Sequence, residues 1–297
     1  VIPLRFVISD WMQWLIKEFD LGFFTFKELP RSIAWVLEWP LSAANSLLAT
    51  GFTFSTEPGA PIVLSPAPWI AVIIIFGLLA FHLSGTRLAV LVTGCFGYLA
   101  LFGQWHSAMI TLSSIVIAVP LGVSIGFVLG IAAYRHPVFE KWLTPVLDLM
   151  QTVPIFAYLV PVLFLFGFGP VAAMIATMLF ATPPMVRVTI LALKQVPVEL
   201  VEYGNMAGCA RGQLLRKIQV PVAQKSLMGG VNQGIMLSLN MVIIASMIGA
   251  GGLGFDVLSS LRRLAIGDGL EAGLAITFLA IALDRLSQAF ADRPQTS

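Results

Sequence analysis

Charge is what this sequence has least of. Of 297 residues, 11% are charged and 58% are hydrophobic. A soluble domain carries about 25% charged residues. A deficit of this size, spread along most of the chain, excludes an ordinary soluble globule and points to a polytopic α-helical membrane protein. The net charge of +2 is too small for a nucleic-acid partner. There are two cysteines, Cys95 and Cys209. One is expected in a span and the other in a cytoplasmic loop, which argues against a disulfide. The three histidines, His82, His106 and His136, fall at different span ends with no i,i+4 partner, which argues against a metal site. No G-x-x-x-x-G-K-[ST] occurs, so the chain shows no P-loop for ATP. Acids within the apolar runs are sparse. Asp148 and Glu271 lie near span ends and Asp284 sits beside Arg285 inside the last turns; helix capping or snorkelling is the expected role, with an ion path as the alternative. A proton-driven carrier is expected to hold more acids deep in its spans. The chain begins at Val1 rather than Met, and its start is not read as a signal peptide.

Long apolar runs are what is present. Spans of roughly 20 residues are expected near 68–84, 87–103, 107–133, 145–166, 170–192, 226–249 and 270–290, seven in all. Lys194, Arg211, Arg216, Lys217 and Lys225 cluster between the fifth and sixth spans, which makes that loop cytoplasmic. Alternation then puts Arg87, Arg135, Lys141 and the C-terminus inside. Arg262 and Arg263 fall outside, against the trend. Residues 1–65 also fall outside and carry six acids and four bases. Val7–Phe19 has Trp11, Trp14, Leu15 and Phe19 at helical spacing, the pattern of a helix lying in the membrane interface. A proline-rich linker follows at 54–68. The chain therefore divides into an amphipathic periplasmic-side region (1–65), two peripheral transmembrane helices (66–106) and a core domain (107–292).

Small residues recur every fourth position at Ser114, Ala118, Gly122, Gly126 and Gly130, a stripe that lets another helix approach closely. The expected partner lies in the same chain, with a subunit interface as the alternative. Two motif matches carry no chemistry. Gly122-Val-Ser124-Ile-Gly126 fits G-x-S-x-G, but that pattern needs a strand, turn and helix, and Ser124 falls in mid-span. Gly249–Gly254 fits G-x-G-x-x-G, yet it ends a span and has no βαβ context. Its glycines serve a sharp turn at the membrane edge.

The cytoplasmic segment 195–222 is half-polar. A short helix is expected over Val198–Ala210, with Leu200, Val201, Met206 and Ala207 on one face. Gly208 and Gly212 favour a break, and a second helix, Gln213–Gln219, is expected to end at Val220-Pro221. A hairpin too polar for lipid and too apolar to float free suits a docking surface; an ordinary interfacial loop is the alternative. The residues here resemble the EAA loop of ABC-importer permeases, E-A-A-x3-G-x9-I-x-L-P. Glu202 stands at the glutamate, Gly208 six later, Ile218 ten beyond, and Pro221 closes the pattern. Tyr203 and Gly204 replace the alanines and Val220 the leucine. With Gly229–Gly254 and ALDRLSQA near the C-terminus, the chain resembles the permeases of glycine betaine/proline betaine/choline importers over roughly 60–295.

That resemblance implies a type I ABC-importer permease in a bacterial inner membrane, non-catalytic itself. It implies a homodimer of permeases, two cytoplasmic ATP-binding subunits that hold ATP and Mg, and a periplasmic substrate-binding protein. This chain would hold no cofactor. Glu202, Gly208, Arg211, Ile218 and Pro221 would belong to the ATPase-coupling element. The cargo would be a small methylated amine: glycine betaine, choline, proline betaine, carnitine or trimethylamine N-oxide. For the path, span 226–249 offers Asn232, Gln233, Met236 and Asn240 at or beside one helical stripe. Amides in a span are costly unless they face a partner or a wet path, so both path lining and interhelical hydrogen bonding are open. Tyr158, Phe156, Phe164 and Phe166 offer π faces to an ammonium, or plain packing. Two other readings stand beside the importer: an ion-coupled secondary carrier, and a membrane docking subunit that transports nothing.

Overall fold

The computed structural model describes residues 28–52 and 64–291. The interfacial helix expected over Val7–Phe19 and most of the linker at 54–68 lie outside them. The described residues are helical apart from turns and one isolated bridge, Phe52 to Leu64. In chain order the helices are α1 (Glu28–Asn45, ending in a π turn Ser46–Thr50), α2 (Trp69–Ser84), α3 (Thr86–Leu101), α4 (Trp105–Arg135), α5 (Pro137–Thr152) and α6 (Ile155–Phe166). There follow α7 (Pro170–Lys194), α8 (Val198–Met206), α9 (Arg211–Leu214), α10 (Val220–Met247), α11 (Gly252–Arg263) and α12 (Ile266–Ala291).

Each of the seven apolar stretches is helical, but they are not equal. Among the described residues, α4, α7, the run Arg211–Met247 and α12 are long and apolar enough to cross a bilayer, and α5 with α6 makes a fifth span if counted as one. The helices α2 and α3 have 16 residues each, about 24 Å at 1.5 Å per residue, short of a ~30 Å hydrocarbon core. The span expected at 145–166 is broken: α5 and α6 meet at 104°. Pro154 causes the break, because a proline drives the residue before it out of the helical region. Val153 accordingly sits at φ −68°, ψ 133°.

The centre of the bundle is α4 against α7, and glycine makes the contact. A Cβ added at Gly126 would lie 2.7 Å from Met185 Cβ, and one at Gly130 would lie 2.5 Å from Thr189 Cβ. The stripe therefore packs within the chain, and Thr182 Oγ1 donates across it to the Gly122 carbonyl at 3.3 Å. Helix α10 lies on α7 through Gly230, whose added Cβ would meet Val188 at 3.0 Å. The α2–α3 hairpin turns at Gly85 (φ +79°) and packs on α12. Its core holds Val92, Phe96 and Leu99 with Ala275 and Leu279, all fully buried. Helix α1 leans on α4 and α7: Leu41 is buried with Ala118 and Met174, while Trp35 and Trp39 are exposed.

The two ends of the bundle differ. At one end, Gln104 donates to Glu271 at 3.0 Å, and the glycine turn after α10 docks on α4. Gly249, Gly251 and Gly252 all have positive φ there. Leu253 N–H donates to Thr111 Oγ1 at 3.0 Å. The other end carries Arg135, Lys194 and the 198–219 hairpin, and is the basic end.

Candidate coupling hairpin and translocation surface

The hairpin at the basic end starts after Pro197 and turns at Gly208. Helix α8 ends in a Schellman motif: Cys209 N–H donates to the Gly204 carbonyl at 3.0 Å and Gly208 N–H to the Asn205 carbonyl at 3.0 Å. Gly208 is the left-handed residue of that motif, φ +75°. The break spans residues 207–210, and Gln213 Oε1 then accepts from Ala210 N–H at 3.0 Å to start α9.

The second arm does not stop at Val220-Pro221 as its sequence suggests. It runs on as one helix, Arg211–Met247, of 37 residues. A proline inside a helix lacks its N–H and crowds the carbonyl four residues back. Here a π turn over Leu215–Gln219 widens the ladder just upstream, with Val220 N–H donating to the Leu215 carbonyl. Pro221 follows directly on that widened turn, and the helix passes through it.

One side of the hairpin is fixed to the bundle. Leu215 is buried with Ala192, Leu193 and Val196 of the α7 end and with Ala223. Gln219 is buried, and its Nε2 donates to Tyr134 Oη of α4 at 2.8 Å. The two arms close on Gly204, where an added Cβ would lie 2.5 Å from Leu214 Cδ1 and 2.6 Å from Ile218 Cδ1. The departure from alanine at this position therefore tightens the hairpin.

The other side is bare. Of the apolar face expected over Leu200, Val201, Met206 and Ala207, Met206 is 81% exposed, and Val198, Leu200 and Tyr203 are exposed with it. Val201 is the side chain of α8 that packs inward. Glu202, Arg211, Arg216 and Lys217 are exposed around this apolar patch, as is Pro221.

On α10, Gly229, Gln233, Met236, Asn240, Ile243 and Met247 are exposed at alternating spacings of four and three, one unbroken face. Among the described residues, no hydrogen bond satisfies the side chains of Asn232, Gln233 or Asn240. The Oδ1 of Asn232 is buried without a partner. The interhelical bonds considered for these amides are therefore absent among the described residues. Tyr158 is not part of that face. It is half-buried on α6, which packs on α7, and its hydroxyl donates to the Val153 carbonyl at 2.9 Å, bracing the α5–α6 bend. Phe156 and Phe164 are exposed on the same short helix.

Sequence reasoning passed over Tyr134, Arg187 and the packing partners of Gly204 and Gln219. A lone basic residue in the apolar run 170–192 was the available signal for Arg187. Its guanidinium pairs with Asp148 of α5, and Lys194 pairs with Glu140 at 2.6 Å. Asp148 is thus held in an ion pair across the α5–α7 seam. Among the described residues no group of His, Cys, Asp and Glu could hold a metal ion.

Comparison with known proteins agrees with this anatomy. Residues 118–293 match the family of binding-protein-dependent transport system inner membrane components. The trimethylamine N-oxide transport system permease protein TmoV of Ruegeria pomeroyi is 43% identical over 96% of this chain and 42% of its own length. The glycine betaine/proline betaine transport system permease protein ProW of Escherichia coli is 44% identical over 97% of this chain and 75% of its own. The glycine betaine transport system permease protein OpuAB of Bacillus subtilis is 37% identical over 97% of this chain and 94% of its own. The chain thus spans less than half of the Ruegeria protein and nearly all of the Bacillus one. Among solved structures, an inward-facing MetNI methionine ABC transporter chain superposes with a TM-score of 0.55 at 21% identity. It covers 64% of this chain and 93% of that one, a likeness of fold.

Proposed function

The chain belongs to the family of binding-protein-dependent transport system inner membrane components, and we propose that it is the permease subunit of an ATP-driven importer of small methylated amines. It is a multi-pass inner-membrane protein with the type I importer fold. The observation that carries the proposal is the hairpin, bolted to the bundle by Leu215 and Gln219 and bare on its outer face at Val198, Tyr203 and Met206. A firm mount with an unsatisfied apolar patch is what a second protein needs in order to pull on the bundle. In this reading the basic end is cytoplasmic and the patch seats on a separate ATPase, which binds ATP and Mg. A substrate-binding protein delivers cargo at the opposite end.

The helix Arg211–Met247 supplies the mechanism. It joins the coupling arm to the amide-bearing face of α10 without a loop, so closure of the ATPases moves that face directly. Two copies of the permease place their α10 faces about a shared path, which gives Gln233 and Asn240 a wet or polar partner. The cargo class follows the relatives, whose names specify trimethylamine N-oxide, glycine betaine and proline betaine.

The test is purification of the tagged chain from native membranes, followed by uptake in proteoliposomes. A copurifying ATPase and ATP-dependent uptake of glycine betaine or trimethylamine N-oxide are expected. Uptake that follows an ion gradient with no ATPase present would replace this reading with a secondary carrier.

A further inference from the structure

We propose that Arg187 and Asp148 form a charge-paired station for the cargo on the inward part of the path, with the guanidinium taking the cargo's oxyanion and the carboxylate its quaternary ammonium. This inference rests on the importer reading above and adds a site to it.

Depth sets this pair apart. Arg187 lies seven residues before Lys194, the last residue of α7, about 10 Å further into the bundle at 1.5 Å per residue. Ionisable groups at such depth are costly and are kept where they face partners or water. Packing alone does not require this pair. Across the same α5–α7 seam, Lys194 and Glu140 already tie the helices at the basic end, with side-chain exposures of 50% and 25%. The inner pair is comparably open, at 42% for Arg187 and 56% for Asp148. It is not sealed between helices of this chain, so both partners stand open on its surface.

The surroundings fit a path. An open cleft of about 240 Å³ runs along the seam, bordered by Glu140, Thr144, Leu147, Arg187, Leu191 and Lys194. That is several times the ~30 Å³ share of one water in the liquid. On α7, Val188 faces Gly230 of α10, while its neighbour Arg187, about 100° round the helix, reaches α5. Helices α5 and α10 therefore flank α7, with exposed Leu191 on the surface between them. Gln233 follows Gly230 by one turn on the exposed face of α10. The amide face of α10 and the charge pair thus lie at neighbouring depths along α7.

The chemistry fits the cargo class. Glycine betaine and trimethylamine N-oxide each join a methylated ammonium to an oxyanion and carry no net charge. A carboxylate beside a guanidinium presents the complementary signs. When the cargo is absent the two protein groups satisfy each other, so the empty path holds no unpaired charge. A neutral pair also releases its cargo more readily than a lone charge.

The test uses the whole transporter, purified with its partners from cells carrying tagged wild-type, Arg187→Gln, Asp148→Asn or the exchanged pair Arg187→Asp/Asp148→Arg. ATP-driven uptake of glycine betaine and of choline, which lacks the oxyanion, is measured across cargo concentrations. Arg187→Gln is expected to raise the half-saturating glycine betaine concentration about tenfold, roughly one good charged contact, and to leave choline nearly unchanged. Asp148→Asn is expected to weaken both. A clamp that only holds α5 to α7 would lose both cargoes equally in either single variant and recover both in the exchanged pair, and that result overturns the station. Wild-type kinetics in both single variants overturn it too. If the wild-type complex moves no methylated amine with ATP, trimethylamine N-oxide included, the importer reading fails and the station falls with it.

Discussion

Two glycines in the hairpin are needed for unlike reasons. At Gly208 there is open space but φ is +75°, so any side chain meets backbone strain, about 1–2 kcal/mol for an L-residue. At Gly204 the backbone is ordinary helix but the space is taken, because Leu214 and Ile218 of the other arm occupy the position of a Cβ. Gly204→Val is therefore expected to splay the arms while leaving the spans intact. Overpacking of this kind costs about 1–3 kcal/mol, enough to shift a small hairpin without unfolding a bundle. The expected outcome is normal membrane yield, with cargo-stimulated ATP hydrolysis lowered by an order of magnitude or more. Full stimulated hydrolysis in this variant would show that the arms need not close for coupling. The need for a small residue was readable, since Gly204 stands where the resembling pattern has alanine. The contact itself was not, because Leu214 and Ile218 reach it only once the chain has reversed at Gly208.

At the scale of the helices, the α4–α7 contact is the most sensitive. Gly126 and Gly130 leave no room for a Cβ without moving Met185 or Thr189. In lipid, close packing must supply the association that the hydrophobic effect supplies in water. Gly130→Leu is expected to separate the basic ends of α4 and α7, and with them the surface on which Leu215 and Gln219 seat the hairpin. Thermal unfolding in detergent should show a midpoint lower by several degrees; an unchanged midpoint would mean the contact is slack. The four-residue spacing made this stripe legible, because helical period alone brings those positions to one face. The α5–α6 bend was harder to see. Pro145, Pro154 and Pro161 all lie in the same apolar stretch, but only Pro154 breaks it, while the others sit inside helices. Pro221 misled in the opposite direction, since a π turn absorbed it and the helix continued. Whether a proline breaks, bends or is absorbed depends on whether neighbouring turns can supply its missing hydrogen bond, and hydropathy carries no trace of that.

At the scale of the whole molecule, one chain leaves two of its surfaces unfinished. The first is the patch at Val198, Tyr203 and Met206; the second is the α10 face with Gln233 and Asn240. Helix Arg211–Met247 joins them, so displacement at the first reaches the second along about 55 Å of helix at 1.5 Å per residue. The amides distinguish a path from a simple seam. If the α10 face only packed against a second copy, Gln233→Leu with Asn240→Leu would fill the contact with apolar bulk and hold or raise the stability of the assembly. If the face lines a wet path, the same pair removes the groups that replace water around a polar solute as it passes. The double variant is therefore expected to assemble with its ATPase and retain hydrolysis, while ATP-driven glycine betaine uptake falls tenfold or more. Assembly and uptake are read on the same preparation, by copurification and by radiolabelled cargo. Uptake at the wild-type rate would assign the face to packing and move the search for the path to the groove between α5 and α7.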